Sequence, residues 1–533
     1  MMVQPSSTEA IMKKTKKVKI ERLFGRQYLS DKPYWDDPEQ FQGKVTLVTA
    51  GTGSGKSTAM LNIAADDEYL SKNEKMLILT TRRADAAKLR VKVEKEGLSC
   101  RVDVMTVQAF EEAISVYDMD GAKYLEQYQI LVCDEAHYWT TDAGFSESAI
   151  LSYQSIKDFA DTIGETKKMI FLMSATPERL DEIFPVSKRV GGDIYTDHIR
   201  KIVFVPDEDY TMQSAMNINK AIENGSKGII FVRKKTDIEK ILTEIGAQSE
   251  RVEVYTAERR PQCDEHGEFK IPDGKNIIIS TSVLAFGVDF WDDNIQFVMT
   301  NDVDPVLAVQ ELGRRRCAGE SEVDYYISDF TADYLVRAYA KQKRFYEDAS
   351  LFETAPEKFY GAGGPWYEGI FRHNRIFRIE RHTTVVKINP TYRDFCARLS
   401  SYSDDISEGE DNWKHMVLTR LGFDSRKPAP IKHYEEVVSE DVKSMLMQME
   451  AAGILTTDDW KLLGKVLRVK NGTIKGKGTK YKYGEYLSSP KKIDAYIRPY
   501  GYMAGGVKKK QVNGKRINYY PLIRLDSEKD GES

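Results

Sequence analysis

Cysteine is scarce and odd in number: Cys100, Cys133, Cys263, Cys317 and Cys396 are all that the 533 residues contain. Sparse, unmatched thiols give no disulfide framework. They suit a reducing compartment, whether cytoplasm, nucleoid or a site of viral replication. Cys263-Asp264-Glu265-His266 has no second ligand pair at matching spacing, so it reads as a polar loop and not a metal site. No run of eighteen apolar residues is present, and no membrane span is expected. The first 21 residues lack the apolar stretch of a secretion signal. Residues 1–20 carry Lys13, Lys14, Lys16, Lys17 and Lys19 and read as a flexible basic arm. There is no internal repeat, and no nuclease motif is evident.

A dominant charge sign is also missing, with 78 Lys and Arg against 82 Asp and Glu and a formal net charge of −4. That balance conceals a segregation. Seventeen Lys and Arg fall between Lys461 and Leu525, against only Glu485 and Asp494. The segment is therefore near +15 and the remainder near −19. Charge separated in this way is an electrostatic footprint for a polyanion.

What is present is a twofold alternation of apolar runs and helical stretches. Strands are expected at 45–49, 76–80, 102–106, 130–133 and 169–173, with helices such as 84–95 between them. A second series is expected at 229–232, 252–255, 277–281, 295–300 and 323–328. Continuously apolar strands alternating with helices indicate parallel sheets covered on both faces. The fold class is therefore α/β, with two tandem lobes and a C-terminal α+β region. The expected divisions are a first lobe at 21–200, a second at 201–345, a helical region at 346–460 and a basic tyrosine-rich module at 461–533. Within these, 332–352 reads as a long helix, 355–365 as a loop and 401–412 as an acidic mobile loop. Helical periodicity returns at 437–452 and 458–466.

The strand 45–49 runs into Ala50-Gly51-Thr52-Gly53-Ser54-Gly55-Lys56-Ser57 and then a helix that includes Thr58. This strand, glycine-rich loop and helix form the phosphate-loop context. Backbone N–H groups of the loop converge on phosphate oxygens, and the helix N-terminus adds partial positive charge. Gly51, Gly53 and Gly55 permit the tight path, Lys56 is placed for the β- and γ-phosphates, and Ser57 for magnesium. A glycine-rich turn with a chance lysine is the plain alternative. Asp134 and Glu135 follow the strand 130–133, where Asp134 offers a hard oxygen to Mg²⁺ and Glu135 a general base to water.

Beside that loop, Asp134-Glu135-Ala136-His137 resembles the DEAH-type members of helicase superfamily 2. Ser174-Ala175-Thr176-Pro177 resembles that superfamily's third motif, whose hydroxyls couple nucleotide state to nucleic-acid contact. The segment from Thr281 to Asp289 resembles motif V, with Thr281 and Gly287 near the strand backbone and Asp289 near the ribose. Gln310-Glu311-Leu312-Gly313-Arg314-Arg315-Arg316 resembles motif VI. Arginines there answer the charge that phosphoryl transfer places on the equatorial oxygens. Arg314 and Arg316 are the candidates; the family's second arginine falls at Cys317 here, so either Arg316 takes that role or a contact is missing. The resemblance spans about residues 43–330 and implies two RecA-like lobes closing on ATP and Mg²⁺. Thr80-Thr81-Arg82-Arg83 and residues 280–289 also resemble herpesvirus origin-binding helicases and related phage or mobile-element proteins.

The same resemblance implies a nucleic-acid track. Thr80, Arg82 and Arg83 are similar to motif Ia, Thr106 and Gln108 to motif Ib, and Arg233 to motif IV, with Thr256 at the matching place in the second lobe. Hydroxyls and backbone amides grip phosphates without reading sequence. The C-terminal segment interleaves its cations with Tyr481, Tyr483, Tyr486, Tyr496, Tyr500, Tyr502, Tyr519 and Tyr520, a composition that suits stacking on unpaired bases. Turns at Gly505-Gly506 and Asn513-Gly514 suggest a small β-rich or winged-helix-like module. The expectation is an ATP-dependent helicase or translocase on single-stranded or duplex nucleic acid, DNA favoured, with possible protein partners in a replication or defence complex. The alternatives are a translocating ATPase that does not unwind and a non-catalytic binding module.

Overall fold

The structure is a computed structural model. It describes residues 28–525 except 52, 117–118, 142–148, 193, 262–268, 286–287, 317–320, 362–374, 380–385, 410, 470–473, 476–480, 483–485 and 513–514. The basic arm, Thr52, Cys263, His266, Gly287, Cys317 and Tyr483 therefore lie outside the described residues, as does the side chain of Tyr481.

The first lobe holds a six-stranded sheet. Its strands are β1 (Lys44–Thr49), β2 (Met76–Thr80), β3 (Val102–Thr106), β4 (Ile130–Cys133), β5 (Met169–Ser174) and β6 (Val186–Gly191). Their order is β3-β2-β4-β5-β1-β6, and every pairing is parallel. Side chains alternate between two cores. Val48, Ile78, Val132 and Phe171 face one layer of helices. Leu47, Leu77, Leu131 and Leu172 face the other. That period of two, in strands with few polar positions, is what burial on both faces requires. β6 closes the edge with alternate residues exposed, carrying Lys188 and Arg189, which blunts it against further pairing.

The second lobe repeats the plan with β7 (Ile199–Pro206), β8 (Lys227–Phe231), β9 (Val252–Tyr255), β10 (Ile277–Ser280), β12 (Ile295–Thr300) and β14 (Val323–Asp329). The order is β7-β14-β12-β8-β10-β9, again all parallel. Two short strands, β11 (Phe290–Trp291) and β13 (Arg315–Arg316), pair beside it. Ile229, Ile278, Val298 and Tyr325 face one core, and Ile230, Ile279, Met299 and Tyr326 the other. The two lobes are tandem RecA-like α/β units. β6 and β7 were not among the strands expected from sequence, and β7 begins two residues before the expected lobe boundary.

Beyond the lobes, two expected loops are helical. A helix spans Pro356–Gly361, within the stretch read as loop from its glycines. Another, Pro390–Glu408, runs through most of the stretch read as an acidic mobile loop. The acidic residues are only its outer face. Asn389 caps its start, Pro390 fixes the first turn, and Cys396, Leu399, Tyr402 and Ile406 bury the inner stripe. This helix and the next, Asn412–Arg420, pack onto the second lobe.

The helices Tyr434–Ala452, Thr457–Val466 and Pro490–Ile497 enclose a separate core around Trp460, Leu463, Ile493 and Ile497. The expected division at 460/461 falls inside the helix Thr457–Val466, and that at 345/346 inside Ala332–Thr354. An antiparallel hairpin of Lys508–Val512 and Lys515–Tyr519 follows the three helices. No helix among the described residues is long and apolar enough to cross a membrane.

Candidate nucleotide and nucleic-acid site

The carboxyl ends of β1, β2, β3, β4 and β5 all open on one edge, where parallel α/β sheets place their ligands. From β1 the chain enters the glycine loop. Gly53 has φ +68° and Gly55, the N-cap of the helix Lys56–Ala65, has φ +89°. These left-handed conformations admit glycine without the penalty a Cβ would bring. Lys56 is buried, and its Nζ donates to the carbonyls of Ala50 at 2.8 Å and Gly51 at 3.1 Å. Burial pushes the pKa of this ammonium below its ordinary value, while Glu135 and Asp134 pull it back up. Ser57 and Thr58 open the helix and are half-buried. The buried Ser54 Oγ has no hydrogen-bond partner among the described residues.

Two strands away, Asp134 caps its own turn, its Oδ1 accepting from the Glu135 amide at 3.1 Å. Burial, with Glu135 adding, pushes the Asp134 carboxyl up to about 7. Glu135 has φ +53°, a left-handed conformation that costs a non-glycine residue ~1–3 kcal/mol and is concentrated at functional sites. Burial would raise the Glu135 pKa, but His137, Lys56, Arg314 and Arg316 together hold it below the usual value. His137 Nδ1 lies 3.3 Å from Glu135 Oε2 and 3.0 Å from Ser174 Oγ. Ser174 Oγ also accepts from the Thr176 amide at 2.9 Å. The acidic segment and the Ser-Ala-Thr segment are thus joined through one imidazole.

The second lobe brings its arginines to this edge. Gln310 lies in the buried helix Pro305–Leu312, and its Oε1 accepts from Arg314 Nη2 at 2.7 Å. Its Nε2 has no hydrogen-bond partner among the described residues. Arg314 is buried, with Nη1 3.6 Å from Asp289 Oδ1. Arg316 Nη2 lies 2.9 Å from the same oxygen. Burial opposes ionisation of Asp289, but Arg316 and Arg314 hold its pKa below the usual value. Arg316 also reaches the first lobe. Its Cδ and Nη1 lie 3.8 Å from where a Cβ on Gly53 would stand. The loop, the acidic pair and both candidate arginines therefore meet at one seam.

The track residues are more scattered in what they do. Thr80 and Thr106 face each other at the ends of β2 and β3, both buried. Thr106 Oγ1 accepts from the Ala109 amide and so caps the next helix. Gln108 is exposed and donates to Tyr138 Oη at 3.2 Å. Arg82 is half-buried at the N-cap of Arg83–Lys95, and Arg83 is exposed. Arg233 is engaged within its own lobe, donating to Tyr334 Oη at 2.7 Å and lying over the rings of Phe330 and Tyr334. Thr256 binds the Glu258 carboxylate at 2.9 Å. Thr281 is half-buried just after β10.

Sequence reasoning passed over Asp85, in the first turn of Arg83–Lys95. Burial raises its pKa, with Arg314 opposing and Asp289 and Glu135 adding. It is a first-lobe carboxyl in the field of the second lobe's arginines, and a lone Asp in a charged helix gives no signal of that. In the C-terminal module the tyrosines divide. Tyr502 is buried and donates to Glu450 at 2.7 Å, whereas Tyr496 is 44% exposed. Lys508, Lys509, Lys510 and Arg516 all project into solvent from the hairpin.

Residues 43–177, about a quarter of the chain, match the family described as Schlafen group 3, DNA/RNA helicase domain. That match is to a helicase domain, and it covers the segment holding the phosphate loop and the acidic box. No curated protein matches the chain. Among solved structures, S. cerevisiae Dbp5 bound to RNA and ADP BeF3 is 16% identical, covering 53% of this chain and 79% of its own, at a TM-score of 0.39. Mss116p bound to ssRNA and AMP-PNP is 16% identical, covering 54% and 66%, at a TM-score of 0.41. Mycobacterium smegmatis Lhr bound to ssDNA and AMP-PNP is 16% identical, covering 57% and 46%, at a TM-score of 0.38.

Proposed function

We propose that this chain is an ATP-driven nucleic-acid helicase or translocase, with DNA the favoured track. The observation that carries the reading is the seam itself, where Arg316 of the second lobe faces Gly53 in the phosphate loop of the first. A solvated basic turn would have no reason to bury Arg314 beside Gln310 and Asp289. The unpartnered Ser54 Oγ and Gln310 Nε2, buried at that seam, suit a polar ligand between the lobes.

The loop from Gly51 to Ser57, with Thr58, would hold the triphosphate, and Asp289 the sugar. Ser57 and Asp134 would hold Mg²⁺, which when bound neutralises phosphate charge. Lys56 exchanges the carbonyls of Ala50 and Gly51 for phosphate oxygens, a change that restores a counter-charge to its buried ammonium. Glu135, kept ionised by the cations around it, accepts the proton of the attacking water. Arg314 and Arg316 stabilise the charge that develops on the oxygens, and Gln310 orients Arg314. The His137 bridge to Ser174 carries the state of Glu135 toward the strand ends where Thr80, Thr106 and Thr281 would touch phosphates. Gln108, Arg82, Arg83, Arg233, Thr256 and Gly287 are proposed to complete that track, with Arg233 first releasing Tyr334. The exposed cations of the C-terminal hairpin would grip duplex or single strand and favour binding by counterion release.

The test is ATP turnover by the full chain against a panel of single- and double-stranded DNA and RNA, with strand displacement measured alongside. Stimulation by nucleic acid is expected, greatest with DNA. Stimulation without displacement would favour the translocase that does not unwind. No turnover under any condition would leave only a binding module.

A further inference from the structure

The helix Pro390–Glu408, outside both lobes, links to the first lobe from three positions one turn apart, two directly and the third through Arg420. Asp394 accepts from Tyr153 Oη at 3.4 Å. Tyr402 accepts from Arg420 Nη2 at 3.1 Å, and Arg420 Nε pairs with Glu178, next after the Ser-Ala-Thr-Pro segment. Between them stands Arg398, 1% exposed. Its Nη1 and Nη2 donate to the two oxygens of Asp304 at 2.8 and 2.7 Å, and its Nε donates to the Thr140 carbonyl at 3.3 Å. Asp304 belongs to the second lobe and Thr140 to the first.

Each acceptor is directly wired to the seam. Asp304 Oδ1 also accepts from the Val306 amide at 3.0 Å and so caps the helix that carries Gln310 and leads to Arg314. Thr140 and Thr141 donate their hydroxyls to the His137 carbonyl at 2.9 and 3.0 Å. His137 in turn lies against Glu135. A fully buried ion pair is a poor way to add stability, because desolvation offsets its attraction. A planar guanidinium with three N–H groups engaged fixes the relative position of its acceptors, which an apolar side chain could not do.

The geometry points to Arg398 as a positioning residue that makes ATP turnover depend on the helix outside the lobes: it holds the turn after Glu135 in register with the helix leading to Arg314. This rests on the ATPase reading above. As the lobes shift during turnover, the Thr140 bond is the one that breaks, since the Asp304 fork is shorter and paired. The two halves of the seam then report to the strap of 394, 398 and 402 as well as to each other.

The experiment uses the full chain with Arg398→Lys, which keeps a cation beside Asp304 but cannot fork to the Thr140 carbonyl as well. Affinity for a fluorescent ATP analogue should stay within about threefold of wild type, because the phosphate loop is untouched, while kcat at saturating ATP and single-stranded DNA falls about 10- to 100-fold. A structural role alone would lower the melting temperature and leave kcat per folded molecule unchanged. Wild-type kcat in folded R398K overturns the proposal. Should R398K not fold, Arg398→Met with Asp304→Asn removes both buried charges and keeps the helix cap, and the same fall in kcat is required of it. Hydrogen exchange on the wild-type chain needs no variant: amides of 138–141 and 306–312 should change protection together when the analogue binds, and independent change overturns the proposal. Lys56→Ala, run in parallel, separates the failures. Full turnover in K56A sinks the ATPase reading itself, whereas an inactive K56A beside a fully active R398K sinks only the role of Arg398.

Discussion

Arg316 and Gly53 face each other across the two lobes, the arginine's Cδ and Nη1 standing 3.8 Å from the glycine's missing Cβ. That placement puts a second-lobe cation at the mouth of the first-lobe phosphate loop. Arg316→Ala is expected to lower kcat by roughly 10³-fold or more, in the range an arginine finger supplies, with nucleotide affinity changed only a few-fold. Steady-state turnover and equilibrium binding of a non-hydrolysable analogue check it. An equal fall in affinity and rate would make Arg316 a ground-state contact only.

Lys56→Ala should remove both binding and turnover of ATP. The ammonium bridges Ala50 and Gly51 and is the buried cation of the loop. Its loss also frees two carbonyls, so melting should be compared. Normal turnover would show that the loop is not a phosphate site.

Glu135→Gln should bind ATP but not cleave it. The amide keeps the size of the side chain and cannot accept the proton. Trapping of ATP on the variant, followed by single-turnover chemistry, is the measurement. A hydrolysing E135Q would remove Glu135 as base.

Replacing Lys508, Lys509, Lys510 and Arg516 with Gln should flatten the salt dependence of single-strand binding. Each phosphate left without its cation lowers the log–log slope by about 0.7, so the change should approach 3 if all four are used. These side chains are exposed, so the fold should survive. An unchanged slope would make the hairpin a bystander.

Burial raises the Asp394 carboxyl from 3.8 to about 6. Between those values the folded chain keeps a proton there that the unfolded chain has released, so stability from this group falls as pH rises through that interval. Above about 6 the penalty is constant. Asp394→Asn should therefore stabilise the chain by about 1–3 kcal/mol at neutral pH and leave it unchanged near pH 4. Denaturant midpoints of both proteins across that range decide it.

The parts legible in the sequence are those set by short-range pattern. The apolar runs of β1 to β5 and of β8, β9, β10, β12 and β14 announce buried parallel sheets, and the glycine loop announces its own turn. β6 was not legible because an edge strand exposes alternate residues, one of them the charge of Arg189, and so lacks a continuous apolar run. The helix Pro390–Glu408 was misread because Ser401, Asp404 and Asp405 dominate its composition while Leu399, Tyr402 and Ile406 set its conformation. A count at i, i+4 and i+8 from Asp394 through Arg398 to Tyr402 would have found the face. That this face meets Thr140, some 258 residues away in sequence, is a tertiary fact with no local trace.

The core beneath the second sheet has a further consequence. Leu399, Tyr402, Ile406, Trp413, Val417, Leu421 and Phe423 lie in the same apolar cluster as Ile229, Ile278, Val298 and Tyr325. A chain cut after the last sheet strand would turn that cluster out to water, and an apolar surface of that kind drives aggregation. The smallest piece of the second lobe able to stand alone therefore extends at least to Phe423, and limited proteolysis should spare the helices Pro390–Glu408 and Asn412–Arg420 together with the second sheet.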